Sequence, residues 1–120
     1  MPETREETRE EPREEKVQKA VDGLRAENAN LKLFEITVPG HEDEVFIARK
    51  CNWAEYKGLI GKVKDEATAN EVLVQRFLVH PKVSYETINL EWDPGLVVTL
   101  AQQIQKGLGF AGDGASLKNV

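Results

Sequence analysis

DPGLVVTLAQQIQKGLGF, residues 93–110, reads as one finished helix, and its boundaries set the frame for the rest of the chain. Asp93 is a natural N-cap, its carboxylate placed for unpaired amide protons, and Pro94 takes the first helical position, where a missing N–H costs nothing. Leu96, Val97, Leu100, Ala101, Ile104 and Leu108 follow one face, with Thr99, Gln102, Gln103 and Lys106 mostly opposite. Gly107 is placed for a left-handed C-terminal cap, Leu108 for folding back onto the last turn, and Phe110 for an anchor beyond it. No side chain here performs chemistry. The stretch is a packing element, and it needs other elements to pack on.

Upstream, those elements have legible edges. Asn52 caps a helix in which Trp53, Tyr56, Ile60 and Val63 recur at helical spacing, with Glu55 completing a capping-box-like pair. Thr68 and Glu71 form a capping box opening a second helix, apolar nearly all round through Val72, Leu73, Val74, Phe77, Leu78 and Val79. This helix is expected to end near His80, because Pro81 disfavours a helical residue before it, and a protonated His80 would then be favoured by the helix dipole. Residues 83–92 fit both periods, since Tyr85, Ile88 and Trp92 approximate a helix while Ile88, Leu90 and Trp92 alternate as in a strand; a short turn of helix under the core is the expectation. Before all of these, Phe34, Ile36 and Val38 alternate with Glu35 and Thr37, Pro39 and Gly40 supply a turn, and Val45, Phe46 and Ile47 form a second β-prone run. The fold class expected is α+β and mostly helical: an N-terminal helical leader, one β-hairpin, then a bundle of about three short helices.

The domain organisation follows from composition. Residues 1–16 are nearly all Glu, Arg, Thr and Pro and are expected to form a disordered or frayed charged tail. Residues 17–32 form a leader in which Val17, Val21, Leu24, Asn28 and Leu31 fall at the four-three spacing of a short coiled-coil seam, with Asn28 at an a position. Two outcomes stay open for it. It self-associates into a homo-oligomer, or it packs on its own domain or frays, because about two heptads containing Gly23 are marginal for an isolated helix. Residues 33–110 are the compact domain, and 111–120 lack periodicity and read as a flexible tail.

Charge and composition exclude several functions. The 120 residues carry a formal charge of −5 and a pI of about 5.1, which argues against a phosphate-tracking surface, so nucleic acid is not an expected partner. No apolar run approaches the roughly 20 residues needed to cross a bilayer, so no membrane partner is expected. One cysteine, Cys51, rules out an internal disulfide and suits a reducing compartment. Cys51 precedes a helix N-terminus, where the dipole lowers a thiol pKa, but a buried structural cysteine is the commoner reading. The turn His41 to Glu44 has metal-ligand residue types, yet neighbours on one hairpin tip rarely converge on an ion, so a solvated turn is expected there. No triad, phosphate loop, dinucleotide turn or paired-cysteine motif occurs, and the chain is expected to be no enzyme, with no catalytic residues, cofactor or metal.

The order DEVFIARKCNWAEYKGLIGKV, ANEVLVQRFLVHPKV, WDPGLVVTLAQQIQKGLGF resembles small phage tail assembly chaperones and related tail-module proteins. Their "RPLTRAEY" entry to a helix looks like Ala48 to Tyr56, their apolar helix with a proline stop looks like Phe77 to Pro81, and their "LPAGVVxxLAxxIxxxSGF" ending is similar to Trp92 to Phe110. The similarity spans roughly residues 45–110, and its most specific positions are Pro94, Gly95, Leu100, Ala101, Ile104, Gly109 and Phe110. Asp93-Pro94-Gly95 departs from the first part of the ending, and Leu108 stands where a small residue precedes GF. The resemblance implies a chaperone in the host cytoplasm that binds the tape measure protein, or another tail protein, and keeps it soluble during tail assembly. Trp53, Tyr56, Ile60, Val97 and Leu100 are the contact candidates, because aromatic and aliphatic anchors carry most interface energy. The commoner reading of the same five side chains is this domain's own core. A structural tail or baseplate protein retained in the virion, and a non-phage adaptor with a coiled-coil leader, are the alternatives.

Overall fold

A computed structural model describes residues 12–110 and the strand 117–119. In chain order the elements are α1 (Arg13–Glu27), β1 (Leu33–Ile36), β2 (Phe46–Arg49), α2 (Trp53–Ile60), α3 (Glu66–Phe77), β3 (Leu78–His80), α4 (Tyr85–Leu90), α5 (Pro94–Gly107) and β4 (Leu117–Asn119). The class is the expected one, α+β and mostly helical. Its sheet is larger than the single hairpin read from the sequence: four antiparallel strands in the order β3-β2-β1-β4.

Each extra strand corrects an expectation. The apolar run after Val72 does not stay helical to His80; α3 stops at Phe77, and Leu78 turns extended (φ −76°, ψ 116°) so that Leu78–His80 pairs with β2. A run of continuous apolar residues suits a buried helix and a strand alike, and the unpaired edge of β2 decides between them. At the other edge Leu117–Asn119 pairs with β1, within a stretch expected to be a tail without structure. Three of its residues have a backbone partner that local sequence does not reveal.

Both faces of the sheet are covered. Phe34, Ile36, Phe46 and Ala48 point to one side, where Leu73, Val74 and Phe77 of α3 and Leu96, Leu100, Ala101 and Ile104 of α5 complete the main core. Leu33 and Ile47 point to the other side, onto Val17 and Val21 of α1. Strand β1 is consequently buried at all four positions, including Glu35, which is only 8% exposed.

That carboxylate is held by Arg13. Its Nε donates to Glu35 Oε2 at 2.7 Å, and its other nitrogens donate to the carbonyls of Glu42 (2.6 Å), Glu44 (2.5 Å) and Ile36 (3.3 Å). One guanidinium thus ties the start of α1 to the β1–β2 hairpin. This is why α1 begins at Arg13, inside the segment expected to be a charged tail; residues 1–11 of that tail lie outside the described residues. Of the two outcomes open for the leader, packing on its own domain is the one found. Val17 and Val21 are buried against the chain's own sheet, Leu24 and Leu31 pack half-buried beside them, and Asn28 is an exposed extended residue at the end of α1, not a helical a position. The seam is a sheet-packing stripe.

Candidate functional site

The α2 helix starts where the sequence says it does. Asn52 Oδ1 accepts the Glu55 amide at 2.9 Å, closing the N-terminal turn. Glu55 does not return the bond as a capping box would. Its carboxylate takes both terminal nitrogens of Arg49, at 3.1 and 2.6 Å, and the Arg49 guanidinium also lies 4.9 Å from the Phe77 ring centroid. The Arg49 hydrogen bonds hold the Glu55 carboxyl below its ordinary value. The end of β2 is thereby fastened to the first turn of α2.

The other wall is built by the end of α5. Asp93 occupies the N-cap position but makes no side-chain capping bond, and Pro94 opens the helix. At the far end the left-handed residue is Gly109 (φ +107°), two positions beyond the expected Gly107. Phe110 donates its amide to the Gln105 carbonyl at 3.0 Å and Gly109 to that of Lys106 at 3.0 Å, the paired bonds of a Schellman motif. Gly107 serves a different end. A Cβ there would sit 2.2 Å from the Phe34 ring, so glycine is what lets α5 close onto β1.

These two helix boundaries face one another across a cleft of about 220 Å³ lined by Cys51, Asn52, Trp53, Tyr56, Leu108 and Phe110. Trp53 stacks on Tyr56 with ring centroids 6.0 Å apart and planes at 22°, and Tyr56 meets Phe110 at 5.1 Å. Trp53 is nevertheless 66% exposed and Phe110 44%. An indole held in place on one face and open to solvent on the other is an unfinished packing contact. Cys51 contributes to the wall, and burial, with Glu55 adding to it, pushes its thiol up.

The five contact candidates separate. Trp53 is exposed, Tyr56 is half-buried within the cleft, and Ile60 packs half-buried onto the core. Val97 is half-buried against the core, and Leu100 is fully enclosed by it. Leu100 is therefore corrected from a contact candidate to a packing residue, and Val97, like Ile60, packs half-buried against the core. Leu108 and Phe110 are the contributors that the sequence reading treated as helix closure alone.

Charge in the segment that contains α2 departs from the acidic balance of the chain as a whole. Residues 49–64 hold Arg49, Lys50, Lys57, Lys62 and Lys64 against the single carboxylate Glu55, a local balance of +4 within a chain of −5. Arg49 and Glu55 engage each other, and the four lysines are exposed.

Other sequence candidates hold no comparable geometry. His41 pairs with Glu44 on its own turn, which raises the His41 pKa. Among the described residues no three His, Cys, Asp or Glu side chains gather as metal ligands, and no helix is long and apolar enough to cross a membrane. His80 lies in β3, not at a helix end, and burial lowers its pKa. The turn of helix expected within residues 83–92 is α4, capped by Ser84 and anchored by the buried Ile88. Comparison with protein-family models, with curated proteins and with solved structures gives no match.

Proposed function

We propose that the chain is an assembly chaperone that receives an apolar side chain of a client protein in the α2 cleft, the client being the tape measure protein named by the resemblance to phage tail assembly chaperones. The observation that carries this reading is Trp53, 66% exposed while stacked on a half-buried Tyr56. A large aromatic ring left open beside an apolar recess fits a role in covering another protein's apolar surface. The scaffold suits the task, because Asn52 fixes one wall and the Schellman end of α5 fixes the other, so little ordering is left for the moment of binding. The acidic remainder of the chain, −9 outside residues 49–64, would keep a chaperone–client complex from associating further.

The test is co-expression of the full chain with a phage tape measure protein as the client. The soluble fraction of the client should rise with the wild-type chain and fall back with Trp53→Ala. A client equally soluble with and without the chain would remove the chaperone reading. Mass spectrometry of purified particles addresses the structural alternative, which requires the chain to be present in them.

A further inference from the structure

We infer that the α2 cleft accepts an amphipathic helix whose polar face is acidic; the inference rests on the client-binding role proposed above and names the chemistry the client must present. The cleft, at about 220 Å³, is smaller than the roughly 300–1,000 Å³ of small-molecule sites, so it takes one large apolar side chain and leaves the rest of its bearer outside. Along the chain on either side of it, the charged residues of 49–64 are mostly basic. Lys57 lies four residues after Trp53 and shares its face of α2, Lys50 precedes the cap, and Lys62 and Lys64 lie beyond the end of the helix, about 12 Å further on at 1.5 Å per residue. A helix laid along α2 with an apolar stripe toward Trp53 would set its flanking side chains against these four lysines. Carboxylates there complete the charge, and ammonium groups there are repelled.

Other occupants fit less well. The acidic N-terminal segment of this chain has no aliphatic or aromatic side chain between Pro2 and Lys16 to fill the recess. A second copy docking the same face would bring a second +4 patch against the first. Single-stranded nucleic acid uses successive open ring faces, but here the half-buried Tyr56 lies between the exposed Trp53 and Phe110, so the open rings are not successive.

Three labelled probes test the inference against the full-length chain by fluorescence polarisation. One is a synthetic peptide of about 15 residues with leucines at helical spacing and glutamates between them. The second has the same leucines with lysines for the glutamates, and the third is a thymidine oligonucleotide. The glutamate peptide should bind at least about ten-fold more tightly than the lysine peptide at low salt, with the preference shrinking as salt screens it. Trp53→Ala should weaken it at least about ten-fold, and Lys57→Glu should narrow the preference between peptides. Equal binding of the two peptides, tighter binding of the oligonucleotide, no binding of the glutamate peptide, or undiminished binding by Trp53→Ala each overturns it. Failure here is separable from failure of the chaperone role. A client kept soluble by a chain indifferent to peptide charge removes only the acidic helix, and a charge-selective chain that solubilises no client removes only the chaperone.

Discussion

Helices α5 and α2 carry the same kind of sequence signal, an apolar stripe behind a polar N-cap, and come to opposite ends. Over 14 residues, α5 buries Leu96, Leu100, Ala101 and Ile104 against α3 and the sheet. Over eight residues, α2 buries no residue fully and leaves Trp53 in solvent. Length is one physical cause, since two turns present too few side chains to cover a core face. Placement is the other. The sheet's two faces are already taken, by α1 on one side and by α3 with α5 on the other, so α2 lies at the margin, tethered through Arg49 and Glu55. An apolar stripe therefore tells where a helix turns its face, and the rest of the fold decides whether that face finds a partner inside the molecule.

Truncation of the two stripes gives the largest contrast. Leu100→Ala empties a fully enclosed site and should cost about 3 kcal/mol in denaturant unfolding, within the usual range of about 2–5 for such changes. A cost below about 1 kcal/mol would mean that the α5 face is not the core. Gly107→Ala tests how closely α5 approaches β1. Its methyl would meet the buried Phe34 ring at 2.2 Å, and an overpacking cost of about 2 kcal/mol is expected from the same measurement. A neutral result would show that α5 can slide away from the sheet.

Much of this contrast was legible in the sequence, and the rest was hidden for identifiable reasons. The cap Asn52, the helix-opening Pro94, the α5 stripe and the β1–β2 hairpin are local patterns, so they could be read locally. β3 was hidden inside a helix-like apolar run, and β4 in a segment with no pattern, because what makes each a strand is a neighbour's edge. Arg13 looked like one more charge in a charged tail; its partner Glu35 is 22 residues away and itself read as the polar position of an alternating strand. At the cleft, the sequence supplied Trp53 and Tyr56 but not Phe110 as their companion, since that contact joins two helix ends 54 residues apart in the chain, counted from Tyr56 to Phe110. Exposure of Trp53 was the least legible property, being a statement about every element that fails to cover it.

A smaller effect concerns the tether. The folded Glu55 carboxyl titrates below its ordinary value because Arg49 hydrogen-bonds its charged form, so its contribution is present above the ordinary carboxylate range and is lost as pH falls through the lowered folded value. Side chains about a fifth (Arg49) and a third (Glu55) exposed leave the pair well screened by water. Glu55→Gln should accordingly cost only about 0.5 kcal/mol at neutral pH, with the difference from wild type vanishing in acid. A constant difference across that pH range would assign the loss to packing instead of charge.

The smallest expected change in stability is the most informative about the cleft. Trp53 keeps two thirds of its surface in water and rests on Tyr56 alone among the described ring contacts it makes, so Trp53→Ala removes a stacking contact without opening a cavity. Its unfolding free energy should stay within about 0.5 kcal/mol of wild type, as surface substitutions do. Emission would also separate the two indoles, because Trp92, half-buried and edge-on to Phe46 at 6.4 Å, should retain a blue-shifted spectrum once the solvated Trp53 contribution is gone. A loss of more than about 1.5 kcal/mol would put Trp53 among the residues that hold the fold together, and α2 would then be a core helix like α5. A near-neutral result leaves the indole with no structural duty that explains so large an exposed aromatic surface, as the proposed client contact requires.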